Sequence, residues 1–135
     1  MGIVDISDYK DIYLETAKEY IDSLSKSCIS LAKNPSDKDA LNQLHISSHS
    51  LRSQSQAMSY NNMSNITGLI EKIARAVLEG KYRLNTSIIS NLKEATTEIN
   101  ILLLAIEKNN KEKDVGSIVK RLEECVKSIV VKYDN

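Results

Sequence analysis

Four glycines (Gly2, Gly68, Gly80 and Gly116) and one proline, Pro35, are all the breakers in a chain of 135 residues. Long stretches therefore contain nothing that interrupts a helical hydrogen-bond ladder, and long helices are the natural expectation. Apolar spacing agrees. Tyr9, Ile12, Tyr13, Ala17, Tyr20, Ile21, Leu24, Cys28 and Leu31 recur at three- and four-residue steps, one stripe on a helix over 8–33. "NPSDKD" breaks that helix. Ser36 is then placed to cap the next, with Asp39 three residues on as a capping-box acid.

The second helix is predicted over 37–59, its inward stripe formed by Leu41, Leu44, Leu51 and Met58. "YNNMSN" offers amide and hydroxyl caps to a third over 62–79, which carries Met63, Ile66, Leu69, Ile70, Ile73 and Val77. Gly80 stands where a left-handed C-terminal cap belongs. "LNTS" opens a fourth over 86–107, with Ile88, Leu92, Ala95, Ile99, Leu102, Leu103 and Ile106. The polar stretch "EKNNKEKDVG" reads as a loop, and a fifth helix over 114–133 presents Ile118, Leu122, Cys125, Val126, Ile129 and Tyr133. No segment alternates at period two. The reading is one all-α domain over 1–135: an up-down antiparallel four-helix bundle with an additional C-terminal helix.

Lys+Arg and Asp+Glu both number 18, so the formal net charge is zero. That balance argues against a nucleic-acid binder, whose affinity rests on a basic face, and gives no polybasic attachment to a membrane. The longest apolar run, "ILLLAI" at 101–106, is far short of the ~20 residues of a membrane span. "MGIVDISDYK" lacks the features of a signal peptide, so a cytoplasmic protein is expected. Cys28 and Cys125 read as buried free thiols without a partnering metal ligand.

Both histidines fall in one stretch, "QLHISSHSLRSQSQAMSY" at 43–60. His49 lies roughly 140° around the helix from the centre of the apolar stripe, and so faces solvent. His45, Arg52 and Gln56 share its flank, with the small residues Ser48, Ser50 and Ser53 around it. Three readings stay open. One is an ordinary surface histidine. Another is a metal pair at i,i+4, although "HISSH" lacks the glutamate of the zinc-protease motif and no third ligand is near. The last is a nucleophilic imidazole, which needs an acceptor for its second ring N–H. Glu71 is the leading candidate. It lies roughly 120° from the apolar centre of its helix, and an antiparallel hairpin turning near 60–62 brings position 49 level with 71–74.

"HSLRSQSQAMSY" resembles the H-[ST]-L-[KR]-G stretch, with its later [ML]-G-[FY] element, of histidine phosphotransfer (HPt) domains. The likeness is above all to the N-terminal phosphotransfer domain of chemotaxis histidine kinases of the CheA type. It extends through "DISDYKDIYLETAKEYIDSLSKS", "AKNPSDKDALNQLHISSHSL" and "IEKIARAVLEGKYRLNTSIISNL". This resemblance implies a helical bundle in which His49 is the phosphoacceptor. Glu71 would orient the imidazole, and Arg52 would stand where the family carries a lysine that meets phosphoryl oxygens. Ser53 stands where the family has a glycine that leaves room for a docking partner. His45, Ser48 and Gln56 complete the expected docking face around His49 by their place on the helix, not by the resemblance. It implies a phosphoryl carrier, a monomer in isolation, without cofactor, metal or ATP site of its own. ATP and Mg²⁺ would belong to a histidine kinase catalytic domain, in cis or in trans, and the acceptor would be an aspartate of a response-regulator receiver domain. The start "MGIVDISDYK" would suit the front of such a kinase. Two family glycines are serines here, Ser53 and Ser59. The alternative is accordingly an HPt-like adaptor bundle that binds proteins without phosphotransfer.

Overall fold

The computed structural model describes residues 6–109 and 111–134, with side chains over 8–109 and 111–128. Five helices follow one another: α1 (Ile6–Lys33), α2 (Lys38–Ala57), α3 (Asn61–Leu78), α4 (Thr86–Asn109) and α5 (Gly116–Asp134). Among the described residues there is no strand, and no helix is long and apolar enough to cross a membrane. α1 packs on α2 and α4, α2 on α3, and α3 on α4, which closes a four-membered ring. α5 lies against both α3 and α4. Ile129 and Tyr133 of the expected α5 stripe lie outside the described side chains.

The core is the apolar stripes meeting on the bundle axis. Leu24 and Leu31 of α1, Leu44 and Leu51 of α2, Ile66, Ile70 and Ile73 of α3, and Leu92, Ile99 and Ile106 of α4 are all essentially sealed from water. Each such side chain contributes about 1.5–3 kcal/mol relative to leaving it exposed. Polar seams then set the register of α1 against α2. Tyr13 Oη and Ser55 Oγ lie 2.9 Å apart, and Ser47 Oγ donates to Ser23 Oγ at 2.7 Å. Thr16 Oγ1 donates to Gln54 Oε1 at 2.9 Å.

Several local expectations are corrected. α2 is capped by Asp37 rather than Ser36: Asp37 Oδ1 accepts from Ala40 N at 3.1 Å, while Ser36 N donates to Asn34 Oδ1. Tyr9 and Ile12 are exposed, at 52% and 60%. Tyr13 is level with Ser55 near the end of α2, so the turn preceding it has little left to pack against. α4 runs on to Asn109, into the stretch expected to be loop. Asn85 caps its start, its side-chain oxygen accepting from Ile88 N at 2.8 Å.

No residue of "YNNMSN" caps α3 with its side chain. A carboxylate distant in sequence does so. Glu112, in the α4–α5 connection, accepts from Asn62 N and Met63 N at 3.1 and 2.8 Å, placing an acid at the positive end of the α3 dipole. Glu112→Gln should lower stability by about 0.5–1 kcal/mol in urea titrations; an unchanged midpoint would show that this cap contributes nothing.

The α2–α3 turn contains Ser59 at φ +62, in the left-handed region. The resemblance places a glycine here, and this backbone favours one, because only glycine adopts that conformation without penalty. Ser59→Gly is expected to raise stability by about 0.5–1 kcal/mol, read as a higher urea midpoint. Gly80, after α3, adopts φ +75 as its expected capping role requires.

Candidate functional site

α2 presents His49 and Arg52 three residues apart, on a face turned toward α3. α3 answers with Glu71, only 2% exposed although ringed by polar atoms. His49 Nδ1 lies 2.9 Å from Glu71 Oε1. Arg52 Nε donates to Glu71 Oε2 at 2.6 Å, and Arg75 Nη2 donates to Oε1 at 2.9 Å. One buried carboxylate thus receives an imidazole from the neighbouring helix and guanidinium groups from both helices. The predicted trio of His49, Arg52 and Glu71 is brought together. His49 keeps 52% of its side chain exposed while anchored at one nitrogen.

These contacts decide where the protons sit. Two bare acceptors, a carboxylate oxygen and an imidazole lone pair, do not face each other at 2.9 Å. Burial pushes the Glu71 carboxyl up, but hydrogen bonds from Arg52 and then His49, with their positive charge, outweigh it and leave the group below its ordinary value of 4.5. The bridging proton therefore belongs to the imidazole, as Nδ1–H. Arg52 Nη2, 3.2 Å from the same nitrogen, is then a close neighbour rather than a donor. Nε2 retains its lone pair on the ring edge away from Glu71. In its neutral form the ring thus presents an oriented nitrogen lone pair.

A carboxylate held below its unfolded value stabilises the fold above pH 4.5 and loses that contribution as pH falls through the lowered folded value. Urea midpoints taken from pH ~7 to ~3 should therefore fall less steeply for Glu71→Gln than for the parent chain. Parallel curves would contradict the depressed carboxylate.

Of the expected docking residues, Ser53 and Gln56 are exposed on α2. Ser48 is not available. It is fully buried, its hydroxyl donating to Leu44 O at 2.7 Å, because its side chain turns inward against its own helix. His45 is half-buried and its ring stacks at 6.4 Å on that of His49. Its Nε2 is buried without a hydrogen-bond partner. Among the described residues no group of three or more His, Cys, Asp or Glu is placed to hold a metal ion. Cys28 and Cys125 are free, Cys28 buried and Cys125 partly exposed.

Three features escaped the sequence reading. Arg75 sits four residues after Glu71, an i,i+4 pair visible in principle. At Gly68 a Cβ would come within 3.1 Å of Arg52 Cδ, so the absent side chain lets Arg52 lie across α3 to reach Glu71. Finally, Glu71 is the sole acid between Asp39 and Glu79, and it is buried. Over that span α2 and α3 carry Arg52, Lys72 and Arg75 and no exposed carboxylate, the buried Glu71 being their one acid.

No protein-family model matches the chain. It is similar to the chemotaxis protein CheA of Bacillus subtilis (strain 168), 21% identical over 121 residues that cover 89% of this chain and 18% of that protein. The chain thus spans less than a fifth of the length of that relative. Among solved structures it superposes on the histidine phosphotransfer domain of CheA with a TM-score of 0.81, at 18% identity and 92% coverage of both chains. It also superposes on the phosphorylated P1 domain of CheA3 in complex with CheY6 from R. sphaeroides, with a TM-score of 0.79 at 13% identity, covering 93% of this chain and 98% of that one.

Proposed function

We propose that this chain, a domain of the histidine phosphotransfer fold related to CheA, carries a phosphoryl group on His49 Nε2 between a kinase and a response regulator. The observation that supports it is the 2.9 Å hydrogen bond from His49 Nδ1 to a buried, ionised Glu71, which leaves Nε2 as the free lone pair. In the first step that lone pair attacks the γ-phosphorus of ATP held by a separate kinase domain. The Nε2–P bond forms as the bond to the bridging oxygen breaks, and ADP departs with the electron pair. Nδ1–H remains on Glu71, whose negative charge stabilises the positive charge that develops on the ring. In the second step an aspartate oxygen of a receiver domain attacks phosphorus, and the Nε2–P electron pair returns to the imidazole.

Arg52 lies one helical turn from His49, where its guanidinium can meet phosphoryl oxygens. Between Asp39 and Glu79 the helices that carry His49 and Glu71 expose no carboxylate, which spares the incoming anion like-charge repulsion from these two helices. Ser53 and Gln56 belong to the face a partner would cover. ATP and Mg²⁺ are supplied by the kinase domain, in cis or in trans, and this chain contributes the nucleophile and its orientation. A cytoplasmic setting and a monomeric isolated domain go with this reading.

Incubation with a chemotaxis-type kinase core and γ-labelled ATP tests it. Acid-labile, base-stable label should appear on the chain and pass to an added receiver domain. A folded chain that takes up no label with an active kinase core refutes the carrier function in favour of a docking adaptor.

A further inference from the structure

We infer that Arg75 is a positioning residue that holds the Glu71 carboxylate in register for His49 independently of Arg52. The inference rests on the phosphotransfer reading for its consequence, but on geometry for its substance. Glu71 Oε1 serves two donors: His49 Nδ1 at 2.9 Å and Arg75 Nη2 at 2.9 Å. Oε2 serves Arg52 Nε at 2.6 Å. An oxygen of a carboxylate offers two lone-pair directions. With Arg75 on one of them, the remaining direction at Oε1 points to the imidazole.

The two arginines differ in what else they can do. Arg52 shares its helix with His49 and has Nη2 3.2 Å from the ring, so it is placed to turn toward a group carried by that ring. When it does, Oε2 loses its donor. Arg75 stands on the same helix as Glu71, four residues on, and its grip is set by the backbone of α3 alone. It therefore keeps the carboxylate aimed while Arg52 is occupied elsewhere. Two guanidinium groups on one carboxylate also leave the resting cluster with one surplus positive charge, a charge that an incoming phosphoryl group can answer.

The test uses Arg75→Met, which keeps an aliphatic stem, and Arg75→Lys, which restores a cation. ¹⁵N spectra of the His49 ring at alkaline pH report the tautomer without any phosphorylation. The parent chain and Arg75→Lys should show one tautomer with the proton on Nδ1, and Arg75→Met a mixture of the two. Labelling by a kinase core should slow about tenfold in Arg75→Met and recover in Arg75→Lys. Unchanged helicity in Arg75→Met is expected because the side chain is half exposed. If Arg75→Met keeps the single tautomer and the parent rate, the positioning role is overturned while the carrier function stands. A tautomer mixture in Arg75→Met together with a parent chain that never takes up label upholds the positioning role and refutes the carrier function. Should Arg75→Met fail to fold, Arg75→Gln is read in its place by the same two measurements.

Discussion

His49→Gln ends phosphorylation of this chain: kinase core and labelled ATP are expected to leave it without detectable acid-labile phosphate, against ready labelling of the parent. Glutamine offers no nitrogen lone pair of comparable nucleophilicity, because its amide nitrogen is delocalised into the carbonyl. The side chain is 52% exposed and anchored by one hydrogen bond, so the substitution leaves the core untouched and helicity and urea midpoint should stay close to the parent's. His45 does not substitute for it. It is half-buried with its Nε2 out of solvent, and nothing among the described contacts orients its ring as Glu71 orients His49. Undiminished label on His49→Gln would move the acceptor elsewhere.

Glu71→Ala is expected to slow labelling on the order of 100-fold while leaving His49 in place. Three effects combine. The acceptor that holds the proton on Nδ1 is gone, so the ring samples the tautomer in which Nε2 is protonated and cannot attack. Ring rotation is no longer restrained. The negative charge that steadies the developing positive imidazole is also lost. Folding should survive, because Arg75 is half exposed and Arg52 partly so, and both can turn to water instead of remaining as unpaired buried charges. A labelling rate equal to the parent's would show that the carboxylate has a structural role only.

Much of this architecture was legible in the sequence because it follows from periodicity. Only five breakers in 135 residues and stripes at three- and four-residue spacing lead directly to five helices, with bounds that differ from the expected ones by a turn at most. The approach of His49 to Glu71 was legible too, since a tight turn between antiparallel helices dictates which positions are level. What stayed hidden depends on partners distant in sequence. Glu112 caps α3 from some fifty residues downstream, and no local pattern announces it. Ser48 looked like an open neighbour of His49, but angular position alone does not tell an open small hydroxyl from a buried one turned back onto its own helix. The depth of Glu71 was underestimated for a related reason. An acid reads as a surface residue until the cations that make its burial tolerable are seen, and here they come from two helices. The zero net charge likewise concealed a local imbalance around His49, because acids elsewhere in the chain cancel it in the total.

The most direct measurement is the site of the phosphorus–nitrogen bond. A chain labelled with ¹⁵N in its imidazole rings, phosphorylated by a kinase core and observed by ³¹P–¹⁵N coupling, should show phosphorus bonded to Nε2 of His49 with the hydrogen still on Nδ1. Phosphorus on Nδ1, on His45, or on an oxygen would contradict the assignment, because the ring nitrogen that faces Glu71 would then not be the one held in reserve.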